Sequence, residues 1–447
     1  MPAWSALDTA ALSGLQAPWA LLGARVWTGA GPLAEAIAFG PNGRVAAVGA
    51  DAEVAATAGE IGAVLVDASG AFVAPGFVDP HVHVRASGSA LAGSDLSAAA
   101  AKGELLDAVA AACGDAGAWV TLTGSNLGSP LSGVAPDRRE LDRVSGGARV
   151  RVRDRGGHGW LFNSAGLSYL GVDLLPTPNG VHDDGSLPPG VSVERDAERS
   201  PTGFVADHVG WVGEVLGPLT AREELARAVG RWSRRLAAAG VVAICDATAT
   251  NGPAQVASLV RWREERLLRQ GLSFLAAPGA RLEPAQRRRR VGTKFADAGD
   301  PRLATALRAA PAGERVAVHC VDPEQTAAAL LAAEAAGRPV PLRIEHAAFV
   351  PPDWIGRIGA AGATVVTHPS FVAVHGDRYA ADPALRPMAW VYRLGSWVRA
   401  GVPLAFASDG PFGPVEPLAA LRAAASRRTA DHERMRLLAT VIDGDVV

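Results

Sequence analysis

LAAEAAG-RPVPLRIEH, residues 331–346, decides the fold. An alanine-rich helical segment ends at Gly337, and a run of branched apolar residues follows at once and closes on a histidine. Glycine just past a helix end supplies the left-handed turn that stops it. Val, Ile and Leu on both faces of the run mark a strand covered on both sides. The same unit recurs as WSRRLAAAG then VVAICDA (232–247), IGRIGAAG then ATVVTH (355–368), and WVRAG then VPLAFASD (397–409). Repeated helix–Gly–strand units predict parallel strands joined by helical crossovers. At least eight strand candidates lie between Phe77 and Asp409, which suits a closed (β/α)8 TIM barrel of the α/β class. A doubly wound sheet would want a GxGxxG turn after its first strand, and the sequence has none there.

The flanks read differently. WALLGARVWTG (19–29), AEAIAFG (34–40), RVAAVG (44–49) and AVLVDASG (63–70) are strand-length, with a turn at PNG, 41–43. LLATVIDGDVV (437–447) has the same character, with two short strands about Asp443-Gly444. Residues 1–72 and 430–447 are therefore expected to form one small β-sandwich-like domain closed by both chain ends. Residues 73–429 are expected to be the barrel, with an irregular, Gly- and Pro-rich excursion near 176–200 over its mouth. His182, in that excursion, reads as solvated.

The chain of 447 residues is 49% apolar with a net charge of -2. This gives no electrostatic reason for a nucleic-acid partner or an anionic lipid surface. The run Arg287–Arg290 reads as a solvated face. No apolar run reaches the length of a membrane span, and the first residues lack a basic segment followed by an apolar one. Cys113, Cys245 and Cys320 are isolated from one another, which points to unpaired thiols in a reducing cytoplasm. A small-molecule partner is expected, and the residues leave homo-oligomerisation open.

The chemistry begins at PGFVDPHVHV, Pro75 to Val84. Side chains alternate along a strand, so His81 and His83 share one face and can hold one metal ion. The later strand candidates end on polar residues in turn: RVAVHC at His319, LRIEH at His346, TVVTH at His368 and PLAFASD at Asp409. All strand C-termini of a parallel barrel open on one face, so residues hundreds of positions apart gather there. Each alone reads as an ordinary polar strand end; together they read as ligands for a hard or borderline cation. Glu345 alternates away from His346 and reads as a supporting or ion-pairing residue. Only two lysines, Lys102 and Lys294, occur among 43 basic residues. A lysine in the strand-like VGTKFAD thus points to a role that arginine cannot fill.

PGFVDPHVH after a β-rich segment resembles the amidohydrolase superfamily. RGGHGWLFNSAGL (155–167), RIEHAAFVPP (343–352) and GVPLAFASDGPFGPVEPLAAL (401–421) resemble the branch that includes the N-substituted formamide deformylases. The resemblance implies His81 and His83 as ligands of one metal, His319 and His346 as ligands of a second, and Asp409 as ligand and proton-shuttling base. It implies Lys294, carboxylated by CO2, as a bridge between two divalent ions, with zinc the best fit to the donor set. It places His158 on a substrate-facing loop that Asn163 helps to fix, and His368, where relatives often carry glutamine, among the pocket residues. The implied reaction is hydrolysis of a non-peptide C–N bond, in an amide, formamide or lactam, by a metal-activated hydroxide. A mononuclear deaminase-like hydrolase and a non-catalytic barrel serving as a binding protein are the alternatives.

Overall fold

The structure is a computed structural model that describes residues 18–426, apart from 30, 93, 97–98, 100, 126–128, 155–158, 173–186, 189, 208–210, 217–221, 338–339 and 382–386. Residues 430–447, expected to complete the β domain, lie outside the described residues, as do His158 and His182.

The N-terminal strands are β1 (Trp19–Leu22), β2 (Arg25–Val26), β3 (Ala36–Phe39), β4 (Val45–Gly49), β5 (Val64–Asp67) and β6 (Phe72–Val73). Four of them make a sheet in the order β4-β3-β1-β5, and β2 pairs with β6. A helix over Asp51–Glu60, absent from the strand reading of this segment, buries Val54 and Ala58 against Ala20, Ala36 and Ala38. Its small buried residues let helix and sheet approach closely.

The barrel begins at β7 (Phe77–Val82). Before the second barrel strand the chain builds a separate unit from β8 (Ser94–Asp95), β9 (Trp119–Ser125), β10 (Arg149–Asp154), β11 (Gly159–Phe162), β12 (Val191–Arg195) and β13 (Pro201–Asp207). These form one six-stranded sheet in the order β12-β13-β11-β10-β9-β8, parallel over β8–β10 and antiparallel beyond. The reading of 73–429 as barrel with a single excursion did not separate this sheet. Part of the stretch expected to be irregular is strand β12, paired antiparallel with β13.

The barrel continues as β14 (Val241–Asp246), β15 (Gly271–Ala276), β16 (Arg290–Phe295), β17 (Arg315–Cys320), β18 (Leu342–His346), β19 (Thr364–Thr367) and β20 (Leu404–Phe406). With β7 they form an eight-stranded, all-parallel sheet whose order follows the chain. The arc nearly closes: past β20, the Asp409 N–H donates to His81 O at 2.9 Å and the His83 N–H to Gly410 O at 2.8 Å. The segment that carries the HxH pair is thereby joined to the segment that carries Asp409. Arg290, the end of the four-arginine run, opens β16 and pairs with Glu314 at 3.0 Å. Helices packed outside bury two apolar clusters, one around Leu330, Ile344, Ile358 and Trp397, the other around Leu236, Ile244, Leu259 and Trp262. Removing each such side chain from water contributes roughly 1.5–3 kcal/mol, which is what holds the strand ends in fixed relation. No helix among the described residues is long and apolar enough to cross a membrane.

Candidate metal centre

The barrel order converts the strand-end residues into one cluster. His81 is the last residue but one of the first strand and His83 follows that strand; Lys294 lies on the fourth strand, His319 on the fifth and His346 on the sixth. His368 comes one residue after the seventh strand and Asp409 three residues after the eighth. His81 and His346 rings are 5.1 Å apart, His81 and His368 5.2 Å, His346 and His368 4.5 Å, and His319 and His346 4.6 Å. Asp409 Oδ1 stands 3.1 Å from His83 Nε2 and 3.3 Å from His81 Nε2.

Each of three imidazoles has its Nδ1 occupied by a partner. His81 Nδ1 donates to Glu345 Oε2 at 2.6 Å, His83 Nδ1 meets Thr248 Oγ1 at 2.8 Å, and His368 Nδ1 donates to Ala407 O at 3.2 Å. A ring fixed at Nδ1 presents Nε2 as its lone pair, the arrangement that orients histidine toward a metal. His368 Nε2 is buried and without a hydrogen-bond partner among the described residues. Two groups have ligand atoms close enough to share an ion: His81, His83 and Asp409, and His81, His346 and His368. His368, expected as a substrate contact, is thus set among the imidazoles at ligand spacing.

The electrostatics favour neutral imidazoles beside anionic carboxylates. Burial pushes His81 down to about 3, against the pull of Glu345. Burial, with His368 and His319 beside it, holds His346 well below the usual histidine range. Burial alone would raise Glu345, but Arg343, Lys294 and His81 outweigh it and keep the carboxyl ionised. Burial likewise opposes ionisation of Asp409, and His81, His83 and His368 overcome it. Arg343 Nε lies 2.6 Å from Glu345 Oε1, and its Nη2 donates to Pro80 O at 2.7 Å. A cation deep in the barrel thus anchors the carboxylate that anchors His81. Removing that carboxylate strands both partners. Glu345→Gln is expected to lower zinc affinity by about 10–100-fold with the barrel still folded; competition with a zinc-chelating dye, alongside circular dichroism, checks it.

Lys294 is 3% exposed, and its Nζ has no hydrogen-bond partner among the described residues. Burial lowers its pKa, with Glu345 and Asp409 pulling the other way. An amine so placed is poorly served as an ammonium ion.

The backbone is strained where the chemistry sits. His346 and Asp409 both take the left-handed conformation, at φ 68° and 58°. Non-glycine residues do so at a cost, and such positions cluster at functional sites. Asp79, buried in the same PGFVDPHVHV stretch, accepts hydrogen bonds from the N–H groups of His81 and Ser408. Burial raises its carboxyl to about 6.

Several contributors escaped the sequence reading. Asp246 ends β14 and Thr248 lies two residues beyond it; Asp246 accepts from the N–H groups of Val84 and Thr248, and so aims Thr248 at His83. The only signal was a polar DAT after an apolar run. Asn163, expected from the sequence to help fix the His158 loop, caps the helix Ser164–Tyr169; its side chain also accepts from Val150 N–H and donates to Ala148 O. It fixes the start of β10 within the inserted sheet.

A family model described as Amidohydrolase family matches residues 64–442. The chain belongs to the amidohydrolase family. Among curated proteins it is similar to the N-substituted formamide deformylase of Arthrobacter pascens, with 31% identity over 170 residues, 37% of this chain and 30% of that protein. It therefore spans less than a third of that relative's length in the match. Among solved structures this amidohydrolase is similar to an uncharacterized metal-dependent hydrolase from Pyrococcus horikoshii OT3, with a TM-score of 0.67 and 20% identity over 92% of this chain and 86% of the other. A counterpart from Pyrococcus furiosus gives a TM-score of 0.65 and 21% identity over 93% and 90%. At such identities the likeness is one of fold.

Proposed function

We propose that this amidohydrolase is a metal-dependent hydrolase that cleaves a non-peptide C–N bond in an amide, formamide or lactam. The observation that carries the reading is the set of imidazoles held at Nδ1, with Nε2 atoms converging beside the Asp409 carboxylate. Neutral nitrogen donors with one anionic oxygen suit zinc best. The buried Nε2 of His368 and Nζ of Lys294, each without a hydrogen-bond partner among the described residues, fit a centre completed by a bound cation and a modified lysine. His81, His83 and Asp409 would hold one ion; His319 and His346, with His368 beside them, would hold a second. Lys294 would bridge the two as a carbamate, since only an amine adds CO2 and doing so turns a buried cation into an anion. Bound there, divalent zinc would polarise a carbonyl and acidify water.

The chain's own contribution is positional and protonic. Asp409, kept ionised, takes the proton of the attacking water as its oxygen adds to the carbonyl carbon. It returns that proton to the nitrogen as the C–N bond breaks. The formamide deformylase likeness favours small N-substituted amides as the first class to test. One observation favours a one-ion version: His81 belongs to both ligand groups. Metal analysis of the purified protein separates the versions. A hydrolysis screen of amides, formamides, lactams and esters with zinc-loaded protein tests the function; amine release that stops on chelation and returns with zinc is the expected result. No release from any nitrogen-linked substrate would refute it.

A further inference from the structure

We propose that Asp79 is a positioning residue for Asp409: its carboxylate clamps the turn at 408–410 to the HxH strand and so sets where the Asp409 carboxylate stands. The proposal deepens the hydrolase reading and rests on it for the duty of Asp409. Asp79 and His81 lie two residues apart on β7 and share one face of that strand. Asp79 is 5% exposed, and its Oδ1 accepts the His81 N–H at 3.2 Å. Across the seam of the barrel, the Ser408 N–H is shared between Oδ1 at 3.2 Å and Oδ2 at 3.3 Å. The Ser408 hydroxyl adds a further hydrogen bond to the same carboxylate. One buried side chain thereby ties the end of the first barrel strand to the segment beyond the eighth.

The conformation of residue 409 needs such a clamp. Asp409 takes φ 58°, which a residue with a side chain keeps only where its surroundings over-determine it. The N–H groups along the turn are engaged in succession: Ser408 on Asp79, Asp409 on His81 O at 2.9 Å, and Gly410 on Ser408 Oγ at 3.0 Å. Gly410 O in turn accepts the His83 N–H at 2.8 Å. The Asp409 side chain meets His81 and His83, which would themselves hold the ion, so its place is set by this backbone. Without Asp79 the His81 and Ser408 N–H groups lose their acceptor and the turn relaxes. A shift of about 1 Å in a reacting group can cost about a hundredfold in rate. The backbone bonds that join residues 81–83 to 409–410 do not pass through Asp79, so the barrel is expected to stay closed without it.

The test loads the full chain with cobalt(II), whose visible absorption reports the ligands around the ion, and compares wild type with Asp79→Ala, Asp79→Asn and Ser408→Ala. Thermal unfolding checks the fold, and Ile358→Ala, a change in a buried outer helix, is the control for lowered stability alone. Asp79→Ala is expected to alter the cobalt spectrum and to lower kcat by about 10–100-fold with KM little changed. Asp79→Asn, which keeps one acceptor oxygen, should show a smaller change of the same kind, and Ile358→Ala the wild-type spectrum. In an Asp409→Ala background, Asp79→Ala should change neither spectrum nor turnover further, because it acts through Asp409. If Asp79→Ala unfolds, Asp79→Asn and Ser408→Ala carry the same comparison. A wild-type spectrum and kcat in the folded variants, or equal losses with and without Asp409, overturn the positioning role. A spectral change that requires Asp409, with no amine released from any amide by wild type, keeps that role and counts against the hydrolase reading. Amine release with Asp79 variants indistinguishable from wild type does the reverse.

Discussion

Asp409→Asn is expected to cut turnover by about a thousandfold while zinc stays bound. Asparagine keeps the shape and one donor oxygen, so His81 and His83 keep their third partner. An amide cannot accept a proton at neutral pH, so the water is not deprotonated and the leaving nitrogen is not protonated. The carboxylate is poised for that duty: buried, ionised and 3.1 Å from His83 Nε2. The backbone tolerates the change, because asparagine takes the left-handed conformation of position 409 more readily than most residues. Stopped-flow assay with parallel metal analysis separates the two effects. Near-normal turnover in the variant would place the base elsewhere.

Lys294→Ala is expected to lower bound zinc by about one equivalent and activity by about a hundredfold. Burial with no hydrogen-bond partner among the described residues makes Lys294 an unfavourable ammonium site, and the proposed carbamate would give the neutral amine a role there. Added short-chain carboxylates such as acetate or propionate should restore part of the second zinc and part of the activity, because they bring back an anionic oxygen pair in the space that alanine opens. The same additives should leave wild type unchanged. Two-zinc content and full activity in the alanine variant would eliminate the bridging role.

The parts of this site that were legible in sequence share one property: each lies at or just past the C-terminal end of a strand-like run. His81, His319, His346, His368 and Asp409 could be found that way because a parallel barrel delivers every strand end to one face. The inserted sheet was not legible. WVTLTGS and RVRVRD have the alternation of strands, and alternation does not say which sheet a strand joins. The partner of His81 was hidden by distance, since Glu345 lies 264 positions away and its pairing follows from barrel closure. The Nδ1 partner of His368 was hidden for a related reason: it is a backbone carbonyl, Ala407 O, which leaves no mark in the sequence.

His81, His83, Asp409, His346 and their neighbours are proposed to hold the metal of this hydrolase. Zinc-edge anomalous diffraction from crystals of the zinc-loaded protein tests it most directly. The expected result is an anomalous peak bounded by His81 Nε2, His83 Nε2 and Asp409 Oδ1, with a second beside His346 when Lys294 is carboxylated. Zinc bound elsewhere, with no peak at the HxH pair in crystals of active protein, would contradict it.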